Sequence, residues 1–230
     1  ADDFAGWSRR LQVPTGFQVE AVGRFPGQPL QITYGPDGRL YASVLENGTR
    51  NGAVYVMNAD GSTERHAGDF VSPYGLAFQP GTDVLYVSAR LTLDAGGGVW
   101  RVDPDGAVTP VITDLPCCYQ MIDNQPNGLT FGADGYLYLG VGALSDHAEN
   151  RTRSAEGVIN MQPLEAAVLR IQPHTGEYSV YAQGIRNPVD VALASDGTLY
   201  AADSGLITGG GNRVLRLTAD AHFGFPYWLD

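Results

Sequence analysis

The stretch Arg186-Asn187-Pro188-Val189-Asp190-Val191-Ala192-Leu193-Ala194-Ser195-Asp196-Gly197-Thr198-Leu199-Tyr200-Ala201-Ala202-Asp203-Ser204-Gly205 decides the fold. A proline opens a short apolar run, Asp-Gly interrupts it, and a second run begins at Leu-Tyr. Asp-Gly between two apolar runs of strand length is a strong hairpin signal. The same order occurs three times upstream. Pro29-Leu-Gln31 leads through Asp37-Gly38 to Leu40-Tyr41, and Pro73-Tyr-Gly75 through Pro80-Gly-Thr-Asp83 to Leu85-Tyr86. Pro126-Asn127-Gly-Leu129 leads through Asp134-Gly135 to Leu137-Tyr138.

A third strand follows each hairpin, at Gly52–Val56, Gly98–Val102, Ala167–Ile171 and Arg213–Leu217. Turns at Asp60-Gly61, Asp105-Gly106 and His174-Thr-Gly176 lead on to a fourth. The repeated tyrosines lie 45, 52 and 62 residues apart. Four strands at such a period are the mark of β-propeller blades, and the growing spacing places an insertion at residues 142–166. The expectation is an all-β β-propeller of four-stranded antiparallel blades at about 29–70, 71–116, 125–185 and 186–228. Residues 1–16 read as a polar arm ahead of a propeller domain at 17–230. Phe17–Val22 alternates and predicts a strand. Four blades do not close a ring, so further blades are expected beyond residue 230 or in another chain.

Gly, Pro and Tyr are abundant and helical spacing is scarce, which fits the same class. The formal charge of −11 and pI near 4.6 argue against nucleic acid or anionic lipid as a partner. All 14 basic residues are arginine, which excludes a lysine Schiff base or a P-loop lysine within this chain. No apolar run approaches the ~18 residues of a membrane span. The opening Ala1-Asp2-Asp3-Phe4 has no basic region or apolar core and reads as a mature form without a signal peptide. Sequons at Asn47 and Asn150 fit export.

In a propeller, the loop entering each first strand and the loop between second and third strands share one face, at the mouth of the channel. That places 117–128, 142–166, 184–190 and 203–212 on one rim, where function concentrates. Arg186 is an obligate cation there, and it either binds an anionic group or sits in a buried ion pair between blades. Asn127 and Asp190, with Gln31, are either oxygen ligands for a channel-centred Ca²⁺ or hydrogen-bonding groups between blades. Cys117-Cys118 is either a strained vicinal disulfide or two thiols. Of the four histidines, His66 and His174 read as surface residues. His147, in Ser145-Asp146-His147 of the insertion, is the candidate base.

The chain resembles the soluble quinoprotein sugar dehydrogenases, the glucose/sorbosone dehydrogenase family of six-bladed propellers. The resemblance covers roughly residues 12–228. It is carried by Asn127-Gly-Leu-Thr-Phe-Gly-Ala-Asp134-Gly-Tyr-Leu-Tyr138, Gly184-Ile-Arg186-Asn187-Pro188 and Phe223-Gly-Phe-Pro226. It implies that Arg186 and Asn187 contact the cofactor PQQ, and that the carbonyls of Gly205 and Leu206 bind Ca²⁺. It also implies a catalytic histidine after Asp123, where this chain has Asn124; the base would then be His147 or Asp123. Cys117-Cys118 is similar in position to the vicinal disulfide that packs on PQQ in quinoprotein alcohol dehydrogenases.

The resulting expectation is an extracytoplasmic enzyme that oxidises an aldose or alcohol, with an electron-acceptor protein or assembly partner. Two alternatives stand beside it. One is a catalytically silent propeller serving as a binding or structural subunit. The other is a Ca²⁺-dependent lactonase-like hydrolase using Asn127 and Asp190.

Overall fold

The computed structural model describes residues 6, 9–93, 96–116, 126–149, 151–206 and 211–227. Its named elements are all strands. The first unit contains β1 (Gln28–Tyr34), β2 (Leu40–Leu45), β3 (Asn51–Met57) and β4 (Thr63–Val71). The second contains β5 (Leu76–Phe78), β6 (Leu85–Arg90), β7 (Gly97–Val102) and β8 (Val108–Leu115), and the third β9 (Pro126–Phe131), β10 (Leu137–Val141), β11 (Ala167–Ile171) and β12 (Tyr178–Gln183). The fourth contains β13 (Pro188–Leu193), β14 (Leu199–Asp203) and β15 (Arg213–Arg216), and a short β16 spans Ala221–His222.

Within each unit consecutive strands pair antiparallel. The first strands of successive units touch in order, β1 to β5, β5 to β9 and β9 to β13. Inner strands side by side around an axis make this a β-propeller.

The Asp-Gly turns explain the repeat. In the first, Gly35 and Gly38 close the loop through Gly35 N–H to Arg39 O (2.9 Å) and Gly38 N–H to Gly35 O (3.0 Å). Gly38 has φ +76, the left-handed region that glycine enters at little cost. Asp37 Oδ1 accepts Arg39 N–H at 3.0 Å and Oδ2 accepts the Tyr41 hydroxyl at 3.0 Å. In the third unit Asp134 takes the same two partners, Tyr136 N–H and the Tyr138 hydroxyl at 2.9 Å. The spacing from the turn aspartate to the Leu-Tyr tyrosine is therefore a hydrogen bond that locks hairpin register.

Three apolar clusters lie between the units. Tyr41, Val54, Phe70, Leu76, Leu85 and Val87 join the first to the second. Tyr86, Leu115, Leu129, Phe131, Leu137 and Leu169 join the second to the third. Tyr138, Ile185, Val191, Leu199 and Leu217 join the third to the fourth. Each fully buried side chain of this kind contributes about 1.5–3 kcal/mol, so the blades hold one another. On the two flanks no blade covers the sheet among the described residues. Ile32 and Tyr34 on β1 and Val214 on β15 are accordingly exposed.

Three expectations change. Residues 17–22 pair with no strand among the described residues; alternation alone does not make a strand without a neighbouring edge, and Phe17 and Val22 are exposed. Among the described residues the fourth unit has three strands, and the segment after β15 crosses back to the third. There β16 pairs in parallel with β12, and Phe223 N–H donates to Gln183 O at 2.8 Å. His66 is not a surface residue: it packs edge-on against Tyr41, centroids 5.2 Å apart, and burial pushes its pKa down.

Candidate functional site

Loops 142–166, 184–190 and 203–206 meet at one side chain. Arg186 follows the chain reversal at Gly184 and precedes β13, so it enters the rim where the insertion folds over the third unit. It is 4% exposed. Its Nε donates to the carbonyl of Asp146 (3.3 Å), and its Nη1 donates to the carbonyls of Ser204 (3.0 Å) and Gly205 (2.8 Å). Its Nη2 pairs with Oδ1 of Asp146. Ala143 N–H returns to the Arg186 carbonyl at 2.7 Å. Of the two roles open for Arg186 in the sequence, the buried ion pair is the one these contacts describe.

Asp146 is itself buried, and its second oxygen, Oδ2, lies 3.1 Å from Nδ1 of His147. A carboxylate held on one side by a guanidinium and on the other by an imidazole keeps the ring proton on Nδ1. The Nε2 lone pair is then the basic one. The His147 side chain is 37% exposed, so solvent reaches the ring while its partner is buried. Glu149 fixes the turn by accepting the backbone N–H groups of Asp146 (3.2 Å) and His147 (2.6 Å). Burial alone would raise the Glu149 pKa, but these backbone donors hold it below the ordinary value.

The insertion is tied down a second time. Glu165, its side chain fully buried, accepts Leu144 N–H (2.8 Å) and Gln162 N–H (2.6 Å) and pairs with Arg151 at 2.7 Å. Sequence reasoning missed both Asp146 and Glu165. For Asp146 the available signal was its place next to the one rim histidine.

Asn187 and Asn127 join through Asn127 Nδ2 donating to Asn187 Oδ1 at 2.7 Å. Asn187 N–H is held by Asp203 Oδ1 at 2.8 Å, and Asp203 Oδ2 accepts Arg213 at 2.6 Å. Asp190 lies on the inner face, where Gln31 Nε2 donates to its Oδ1 at 2.8 Å. Leu206 follows Gly205 on the loop after β14. Cys117, Cys118, Asp123 and Asn124 lie outside the described residues. Between the loop entering β1, the β2–β3 loop and the segment before β5 there is an open cavity of about 850 Å³, lined by Gln28, Asn47, Thr49, Arg50, Ser72 and Tyr74 among others.

No family model and no curated protein matches this chain. Solved structures do. A glucose dehydrogenase-like oxidoreductase of Thermus thermophilus is 20% identical with a TM-score of 0.74, covering 93% of this chain and 69% of its own. The PQQ-bound aldose sugar dehydrogenase of Streptomyces coelicolor is 20% identical with a TM-score of 0.67, covering 90% and 65%. A calcium-binding regucalcin of Agrobacterium tumefaciens is 16% identical with a TM-score of 0.57, covering 84% and 62%. At these identities the likeness is one of fold, shared by propeller oxidoreductases and calcium-binding propellers. The chain spans about two thirds of the length of these structures.

The described residues do not fit the cofactor roles that the family resemblance implies for Arg186 and Gly205. Four N–H bonds of the guanidinium are directed at protein oxygens, which leaves it no fork for a cofactor carboxylate. The Gly205 carbonyl already faces a cation. Among the described residues no three His, Cys, Asp or Glu side chains gather as a metal site.

Proposed function

We propose that this chain carries the proton-transfer site of a propeller oxidoreductase acting on a hydroxyl group of a small sugar or alcohol, with His147 as general base. The observation that supports it is the double engagement of Asp146, by buried Arg186 and by His147 Nδ1. A base must be correctly protonated and held within reach of solvent and substrate. The carboxylate sets the first condition, and the partly exposed ring meets the second. His147 thereby takes the place that Asn124, which cannot accept a proton from a hydroxyl, leaves vacant. PQQ and Ca²⁺, the cofactors of the resembling family, would have to be held without the Arg186 guanidinium. An extracytoplasmic location and an electron-acceptor partner belong to the same reading. The Asn47 sequon, exposed in the β2–β3 loop, is compatible with that location.

The test is dye-coupled oxidation of a panel of aldoses and alcohols, with and without added PQQ and Ca²⁺, run beside lactone hydrolysis. Oxidation that falls about 10²–10⁴-fold in His147→Asn supports the reading. Lactone hydrolysis without quinone would move the chain to the hydrolase class. Neither activity would leave a propeller that serves as a binding or structural subunit.

A further inference from the structure

The oxygens around Arg186 form a set that a hard cation would choose: the Asp146 carbonyl, Asp146 Oδ1 and the carbonyls of Ser204 and Gly205. One carboxylate and backbone carbonyls, with no nitrogen or sulfur, are the donors of a Ca²⁺ site. Here the cage is filled by a side chain of the chain itself. We infer that the Arg186 guanidinium is a built-in replacement for a divalent cation, and that this rim is ordered without metal.

Three features support the inference. The guanidinium is planar and forked, so it satisfies oxygens on two loops at once, as a metal ion would. Its charge is balanced by Asp146, which leaves no excess negative charge to draw in a dication. The cage and its occupant are both buried: the side chain of Arg186 is 5% exposed and that of Asp146 8%. A divalent ion on the Gly205 carbonyl would lie next to a fixed positive charge in a site poor in solvent, where like charges repel most strongly.

The inference stands apart from the proposed activity, because its test reads stability and binding rather than turnover. Thermal unfolding and calorimetric titration of the full chain, free of PQQ so that no cofactor-linked ion enters the test, are compared in excess CaCl₂ and in excess EDTA. The expected result is the same Tm in both and no heat of Ca²⁺ binding. Arg186→Ala is expected to lose several degrees of Tm. Guanidinium chloride at sub-denaturing concentration or CaCl₂ should recover part of that loss, while ammonium chloride should not.

Should Arg186→Ala fail to fold, Arg186→Lys keeps one positive charge without the fork. It should then bind no Ca²⁺ and should gain stability from neither salt. A wild type that binds Ca²⁺ and gains Tm from it overturns the inference. So does an Arg186→Ala variant that folds and responds to neither guanidinium nor Ca²⁺.

Discussion

Gln31 and Asp190 hydrogen-bond at 2.8 Å although 159 residues separate them in the chain. They occupy the same position in the first and fourth units, two residues after the opening proline, where the second and third units have Gly75 and Gly128. The missing side chain at Gly128 leaves room for Asp190, whose backbone and carboxylate a Cβ there would strike. Gln31 Oε1 also accepts Leu76 N–H at 2.8 Å, so this one amide ties the first unit to the second and the fourth. Burial pushes the Asp190 pKa up, and the donors Val191 N–H and Gln31 only partly oppose it.

An acid whose folded pKa is raised keeps its proton after the unfolded chain has lost it, so its contribution to stability falls as pH rises. The window begins at the unfolded value of about 3.8 and ends above the raised folded value. Asp190→Asn keeps an oxygen for Gln31 and Val191 and removes the charge. We expect the variant to melt higher than wild type at neutral pH, with the difference shrinking towards acid. Melting curves across that range check it; a variant that melts lower at neutral pH shows that the charge itself is needed.

At Gly128 the inner strands β9 and β13 approach closely. A Cβ there would lie 2.7 Å from the Asp190 Cα, which is backbone and cannot step aside. Gly135, by contrast, has φ +79, and a Cβ added there would meet nothing within 4 Å. Gly135→Ala should therefore cost only the strain of the left-handed conformation, about 1 kcal/mol. Gly128→Ala should cost clearly more, because a strand must move. Denaturant unfolding of the two variants side by side measures the difference.

How much of this was legible in the sequence depends on whether the partner repeats. Asp37 with Tyr41 and Asp134 with Tyr138 recur at one spacing, so the hairpins, the blades and the all-β class could be read from residues alone. The rim could be placed from the order of strands, and Arg186 and His147 were found on it. Asp146 was not singled out, because it sits in an insertion that has no counterpart in the other units. The return of β16 to the third unit was equally unreadable: two residues of parallel pairing leave no periodic trace. At Phe17–Val22 the period is present, but no partner strand lies beside it among the described residues, and alternation without an edge to pair with leaves no strand.

Hydroxyls staple the first three units together. Ser43 Oγ donates to the Tyr74 carbonyl and Ser88 Oγ to the Asn127 carbonyl, each at 2.6 Å. Both serines stand two residues after the Leu-Tyr tyrosine, and Gly140 takes that place in the third unit. Ser43→Ala and Ser88→Ala should each cost about 1–3 kcal/mol, because a buried carbonyl loses its donor. Each hydroxyl also accepts a backbone N–H, Ser43 from Gln31 at 3.2 Å and Ser88 from Gly75 at 2.8 Å. The bond at Ser88 is the shorter and the more buried, so its loss should be the larger. Urea unfolding midpoints at constant slope would show the order.

The rim base offers the sharpest test of chemistry against mere structure. In Asp146→Asn the side-chain oxygen must still face Arg186, since the guanidinium offers only donors. The new amide NH₂ then faces His147 Nδ1, which can no longer donate and must accept. The ring proton is forced to Nε2, the nitrogen assigned to take the substrate proton. Activity should fall about 10²–10⁴-fold in kcat with little change in KM. Nitrogen-15 shifts of the imidazole should report the exchanged tautomer in a protein that remains folded. A variant with the switched tautomer and unchanged kcat would show that His147 is not the base.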